Sequence, residues 1–185
     1  MLFSVVASLL IQATLTYGDF ISVDNGGRWG DWGDLQRCPP LTSASGFSLK
    51  MEKPLGSKGD DTALNGIQLY CTHCTGTDVV GTITSTVGRW GDWTPISWCP
   101  RGNFIRFVLR VEKPLGDGDD TAANSIKMEC SDNSPVEGHN GYWGTFGKWS
   151  GICQLGICGI RTRVEKALGR GDDTALNDVK FECCQ

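Results

Sequence analysis

Three pairs of segments alternate apolar and polar residues with a period of two. In the first pair Phe47, Leu49 and Met51 share one face, with Ser48, Lys50 and Glu52 on the other. The pattern resumes at Ile67, Leu69 and Cys71. The second pair sets Phe107, Leu109 and Val111 against Val108, Arg110 and Glu112, and resumes at Ile126, Met128 and Cys130. The third sets Ile160, Thr162 and Val164 against Arg161, Arg163 and Glu165, and resumes at Val179, Phe181 and Cys183. Side chains of a strand point alternately to its two faces, so this pattern predicts half-buried strands. No segment keeps a 3.6-residue apolar period for three turns, and the chain reads as all-β.

The two segments of each pair are joined by one repeated phrase. It is Val/Met-Glu-Lys, a Gly-rich turn, then Asp-Asp-Thr-Ala-(Leu/Ala)-Asn, running over Met51–Asn65, Val111–Asn124 and Val164–Asn177. Its second aspartates, Asp61, Asp120 and Asp173, lie 59 and 53 residues apart. A tryptophan phrase precedes each pair: Arg28-Trp29-Gly30-Asp31-Trp32, Arg89-Trp90-Gly91-Asp92-Trp93, and the looser Tyr142-Trp143-Gly144-Thr145-Phe146. One unit is thus used three times, over about 19–78, 79–137 and 138–185. Each unit offers about four strands: one before the tryptophan phrase, one through it, and one on each side of the Asp-Asp turn. Three four-stranded sheets packed as the walls of a prism would share one core. Thr72 to Val80 and Ser131 to Gly141, rich in Gly, Ser, Asp and Asn, read as surface loops.

Residues 1–18 stand outside this plan. Leu2 to Thr16 is an uncharged apolar run, and Thr16 and Gly18 are small residues before a cut at Asp19. That predicts a secretory leader, although no Lys or Arg precedes the run. Removal of 18 of the 185 residues leaves 167, enough for one domain with a sizeable core. No later segment is apolar enough to span a bilayer. Lys and Arg number 17 against 21 Asp and Glu, with no basic stripe, which argues against a nucleic-acid partner.

Nine cysteines in a secreted chain predict disulfides. Cys71, Cys130 and Cys183 each follow the second aspartate by ten residues, and Cys38, Cys99 and Cys153 precede Glu52, Glu112 and Glu165 by 14, 13 and 12. Equivalent positions predict equivalent bridges, Cys38–Cys71, Cys99–Cys130 and Cys153–Cys183. Cys158–Cys184 remains as a fourth, although Cys153 and Cys158 could exchange partners because Cys183 and Cys184 are adjacent. Cys74 is left over, either free or linking two chains.

The three Trp-Gly-x-(Trp/Phe) phrases, the three Glu-Lys-(Pro/Ala)-Leu-Gly…Asp-Asp-Thr-Ala-(Leu/Ala)-Asn phrases and the terminal Cys-Cys resemble the vitelline membrane outer layer protein 1 family. The likeness covers essentially the whole of 19–185. It implies a β-prism of three Greek-key sheets with pseudo-threefold symmetry, similar to the fold of plant lectins. It also implies a secreted, extracellular component of an egg coat or other secretion, with extracellular glycans or coat glycoproteins as partners. An activity on N-acetylglucosamine oligosaccharides comes with the resemblance. Two features depart from the family pattern: the long Cys153–Cys158 segment, and Cys74.

The candidate chemistry is acidic and aromatic. Glu52, Glu112 and Glu165, with Asp61, Asp120 and Asp173 and the aspartates before them, put nine carboxylates in equivalent places. Glycoside chemistry uses two carboxylates about 5–9 Å apart, and acids on three walls could line a cleft at one end of a prism. Against this, Asp-Thr-…-Asn is turn chemistry, since short polar side chains accept backbone N–H groups. A triplicated residue is explained more simply by folding than by an active site needed once. The seven tryptophans could stack on sugar rings or fill the space between three sheets. Filling is the stronger expectation, with Trp98 and Trp149, which break the repeat, as the exposed pair. Cys71-Thr72-His73-Cys74 has zinc-like spacing, but Cys71 is needed for a bridge. No metal site, cofactor motif or nucleophile–base pair is read. The favoured function is non-catalytic glycan binding, and the alternative is weak transfer or hydrolysis of chito-oligosaccharides.

Overall fold

The computed structural model describes residues 18–53, 63–73, 77–112, 123–138, 141, 143–166 and 176–185. The leader, the three Asp-Asp turns with Asp61, Asp120 and Asp173, and Cys74 lie outside them. No α-helix occurs among the described residues. The strands are β1 (Phe20–Ile21), β2 (Asp31–Trp32), β3 (Gln36–Arg37), β4 (Thr42–Met51), β5 (Leu64–His73), β6 (Val79–Thr84), β7 (Asp92–Trp93), β8 (Ser97–Trp98), β9 (Phe104–Val111), β10 (Ala123–Cys130), β11 (Pro135–Glu137), β12 (Thr145–Phe146), β13 (Ile157–Val164) and β14 (Leu176–Cys183).

They form three antiparallel sheets. Sheet I has the order β6-β5-β4-β7, sheet II β11-β10-β9-β12 and sheet III β1-β14-β13-β2. β8 continues the β7 lane along β4, and β3 continues the β2 lane along β13, so each sheet has four lanes. In sheets I and II three consecutive strands form a meander and the fourth returns beside the first, which is a Greek key. Sheet III is the same key with the chain ends inside it, so that Phe20 pairs with Glu182.

Repeat and sheet are therefore out of phase. The Asp-Asp hairpin of one repeat pairs with the tryptophan phrase of the next and the short strand before it: β4–β5 with β6 and β7, β9–β10 with β11 and β12. That puts β11 with the third repeat rather than at the end of the second, where the expected boundary at 137 leaves it. The third hairpin, β13–β14, takes β1 and β2 from the first repeat and closes the ring. β5 runs through Thr72, which is buried, and β11 lies within 131–141, so both stretches expected to be loops hold strand residues.

The predicted inward face supplies the core. Phe47, Leu49, Ile67, Leu69, Phe107, Leu109, Ile126, Met128, Ile160, Thr162, Val179 and Phe181 are all fully buried. Phe47 of sheet I meets Phe104 of sheet II edge-on at 5.5 Å between ring centres, and Phe107 of sheet II meets Phe181 of sheet III at 4.8 Å. The expectation that tryptophan fills this interior is wrong. Trp29, Trp90, Trp93, Trp98, Trp143 and Trp149 are all exposed and Trp32 is half-buried. The reason is register. Trp32 stands opposite Arg163 and Trp93 opposite Lys50, which are outward positions.

All four bridges form as paired above, with Cys153 to Cys183 and Cys158 to Cys184. Cys38 follows β3 of sheet III and Cys71 lies on β5 of sheet I, so their bridge joins two sheets. Cys99–Cys130 joins sheets I and II, and Cys153–Cys183 joins II and III. In the chain-entropy account each loop of roughly 30 residues contributes about 3–4 kcal/mol. Cys71 is consumed by its bridge and cannot ligate zinc as a thiolate.

Candidate functional site

The tryptophan phrases and the described ends of the Asp-Asp phrases serve assembly. Gly30, Gly91 and Gly144 have φ of +81°, +88° and +79°. A Cβ there would come within 2.3–2.6 Å of the backbone of Val164–Glu165, Met51–Glu52 and Val111–Glu112. Only glycine lets the tryptophan phrase turn so close to the neighbouring strand end. The closing asparagines Asn65, Asn124 and Asn177 are buried. The carbonyl of Asn65 accepts the Gly88 N–H at 2.6 Å, and that of Asn177 accepts the Gly27 N–H at 2.7 Å. Glu52, Glu112 and Glu165 are half-buried, each one residue past its strand at the Asp-Asp end of a different sheet. Among the described residues these three do not gather into a group that could hold a metal ion.

The outward faces differ. On sheet I, Trp98 lies over Gly46, where a Cβ would meet its ring at 2.5 Å. Its indole packs against Tyr70 at 5.7 Å between ring centres. The Tyr70 hydroxyl lies 3.1 Å from Ser48 Oγ and donates to Gln68 Oε1 at 3.2 Å. Ser48, expected at the surface, is buried beneath this layer. Trp93 stands on the same face at Lys50, whose Nζ donates to the carbonyls of Gly88 and Arg89. Trp98 and Trp93 are 40% and 41% exposed. Four residues of strand separate them, about 13 Å.

The positions equivalent to Tyr70 are Glu129 and Glu182, and both are spent on ion pairs. Arg106 donates to Glu129 through Nε and Nη2 at 2.9 and 2.7 Å. Its guanidinium lies 4.9 Å from the Trp149 ring centre. Arg37 donates to Glu182 at 2.6 and 2.9 Å. Trp149, paired with Trp98 in the sequence reading, thus covers a salt bridge, whereas Trp98 joins an aromatic pair. Tyr70 is absent from the sequence-based candidates, and Trp93 is among the seven tryptophans but not in the pair expected to be exposed. Aligning outward rather than inward positions of the repeats picks out Tyr70, since it replaces glutamate. Val108, also placed outward, is buried. On sheet III, Asp178 is partly buried, and desolvation raises its carboxyl pKa to about 6 despite the Val179 N–H bond and the nearby Lys180 and Arg163. Among the described residues no group of His, Cys, Asp and Glu could hold a metal ion, and no helix is long and apolar enough to cross a membrane.

Solved structures share the architecture. Calsepa lectin in complex with bisected glycan superposes with a TM-score of 0.56 at 14% identity, over 92% of this chain and 100% of that one. The mannose binding lectin from Champedak gives 0.53 at 9% identity over 93% and 100%. At these identities the likeness is one of fold. Curated relatives lie far nearer in sequence. The vitelline membrane outer layer protein 1 homolog of Mus musculus is 43% identical over 179 residues, 96% of this chain and 89% of that protein. The Homo sapiens homolog is 46% identical over 170 residues, 91% and 84%. The profile of Vitelline membrane outer layer protein I (VOMI) matches residues 19–185. The chain therefore belongs to the vitelline membrane outer layer protein I family.

Proposed function

We propose that this protein is a secreted, extracellular, disulfide-braced component of an egg coat or other secretion that binds glycans without transforming them. The observation that carries glycan binding is the uncharged aromatic patch of Trp98 and Tyr70 on the outer face of sheet I. The C–H face of a pyranose packs on an indole or phenol ring. Gly46 lets Trp98 lie flat, and the Gln68 amide and Tyr70 hydroxyl stand beside the rings as hydrogen-bonding groups. Calsepa lectin, which has this fold, was solved with a bisected glycan and with a biantennary N-glycan. N-Acetylglucosamine oligosaccharides are the first ligands to test. The leader and four bridges support an extracellular location.

The expected result is binding of N-acetylglucosamine oligomers, weakened about tenfold by Trp98→Ala, which corresponds to about 1.4 kcal/mol. A glycan array without any bound oligosaccharide, read with protein of native disulfide content, removes the reading. The same oligomers separate the rival. Longer or shorter products after incubation would make the protein a glycan transferase or hydrolase, and Asp61, Asp120 and Asp173, each changed to Asn, would show which copy acts.

A further inference from the structure

The outer face of sheet III carries a second, chemically different surface. Arg161, Arg163 and Lys180 all point outward: Arg161 pairs with Lys180 and Arg163 with Asp178, while Ile160, Thr162 and Val179 fill the core. The three cations surround one ring. Lys180 Nζ lies 4.8 Å from the Trp32 ring centre, and the Arg163 and Arg161 guanidinium carbons lie 5.4 and 5.9 Å from it. Arg161 Nε donates to the Gly33 carbonyl at 2.7 Å, which fixes its head group. Arg163 Nε is buried with no hydrogen-bond partner. Among the described residues no carboxylate lies within ion-pair distance of any of the three, although three other basic residues have such partners. Asp178, on the same face, leaves the cluster net positive when counted as fully charged.

This arrangement is costly in an acidic protein. Two like charges about 6 Å apart repel by roughly 0.7 kcal/mol even at the dielectric constant of water. The ring offsets part of that through its negative π face. The equivalent outward positions show what is particular to sheet III. Arg161, Arg163 and Lys180 correspond to Ser48, Lys50 and Gln68 on sheet I. On sheet II Arg110 and Lys127 lie 5.9 and 4.5 Å from the Phe146 ring centre, but the third position is Val108 and Lys127 is paired with Glu137 at 2.8 Å. Among the described residues, three cations without an ion-pair partner around one ring thus occur on sheet III. An anion held among the three cations would remove the repulsion, and planar guanidinium groups suit sulfate and carboxylate oxygens. We infer that the Trp32–Arg161–Arg163–Lys180 face of sheet III binds the anionic group of an acidic glycan, a sulfated sugar above all, with Trp32 packing against the ring that carries it. This site is independent of the Trp98–Tyr70 patch of sheet I, and either can fail without the other.

The probe is a sulfated glycosaminoglycan hexasaccharide, with its desulfated counterpart as control, titrated into the disulfide-bonded protein. Binding of the sulfated form alone is expected, weakening as salt rises from 50 to 300 mM because exposed charges are screened. Arg161→Ser with Lys180→Gln installs the sheet I residues and should cost at least tenfold in affinity. Arg110→Ser with Lys127→Gln removes the same charge from sheet II and should change it less than twofold. No binding at 50 mM salt, equal binding of the desulfated form, or equal losses in the two double variants overturns the inference. A readout on the unaltered protein stands apart from any folding defect. Bound hexasaccharide should slow acetylation of Lys180 but not of Lys127, and unchanged Lys180 reactivity would also overturn it.

Discussion

Sheets I and III are nearly the same on the inside and unlike on the outside. Inward, Phe47, Leu49, Ile67 and Leu69 face Ile160, Thr162, Val179 and Phe181 in a common core, all fully buried. Outward, Ser48, Lys50, Gln68 and Tyr70 stand where the other has Arg161, Arg163, Lys180 and Glu182. Interior positions answer to one shared volume, so a change on one wall is felt by the other two, and the three copies stay alike. The outer faces answer only to solvent and to whatever binds them. Divergence among fused copies therefore marks where function can reside, and repetition marks where folding is served.

The comparison breaks most easily at its inner half. Phe47→Ala would empty a site that touches Phe104 across the sheet I–II boundary, at an expected cost of about 3–5 kcal/mol. Gln68→Ala, one position from Leu69 but facing out, should cost less than about 0.5 kcal/mol. Chemical denaturation of both variants measures the contrast. Similar losses would mean that the outer layer is as structural as the core.

Next in size is the joint between units. Gly91→Ala puts a Cβ at 2.3 Å from the Met51 carbonyl oxygen, on a backbone with φ of +88°. A loss of about 2–3 kcal/mol is expected from strain and displacement of β7. Gly30→Ala and Gly144→Ala should behave alike, since their φ values and neighbours match. A spread of more than about 1 kcal/mol among the three, by thermal or chemical unfolding, would show that one joint carries more of the closure than the others.

These joints also show how far the residues alone could be read. Period-two alternation identified the hairpins β4–β5, β9–β10 and β13–β14 and their inward faces, because burial of one strand face leaves a direct trace in composition. Cysteine spacing identified the bridges, because equivalent places in fused copies share geometry. Sheet membership left no such trace. In a closed ring the point where the chain is cut is arbitrary, so counting repeats from Asp19 could not reveal that β2 belongs beside β13. The tryptophans were misplaced for the same reason. Whether Trp32 points in or out depends on its partner being Arg163, and pairing between distant segments is not written in local spacing. Tyr70 leaves no mark in a repeat defined by likeness, because it lies where the copies differ, and the Trp32 cluster forms only once β2 is paired with β13.

The smallest expected effect concerns a position that is Gly66 on sheet I, Ser125 on sheet II and Asp178 on sheet III. Burial raises the Asp178 pKa from 3.8 to about 6. The folded protein thus holds a proton between these values that the unfolded chain has lost. Stability from this group is intact below pH 3.8, falls as pH rises through 4 to 6, and is lowest above 6. The full shift would amount to about 3 kcal/mol, but the carboxyl keeps contact with water, and about 1–2 kcal/mol is the sounder expectation. Asp178→Asn keeps the shape and a carbonyl acceptor for the Val179 N–H while removing the charge. It should raise stability at pH 7 by that amount, with the gain shrinking toward zero at pH 4. The difference between variant and parent, followed by thermal unfolding at each pH, isolates this group from the other carboxylates. A loss at pH 7 would mean that Arg163 and Lys180 hold the Asp178 carboxylate more strongly than burial opposes it, and a gain independent of pH would mean that the Asp178 carboxyl titrates alike in the folded and unfolded chain.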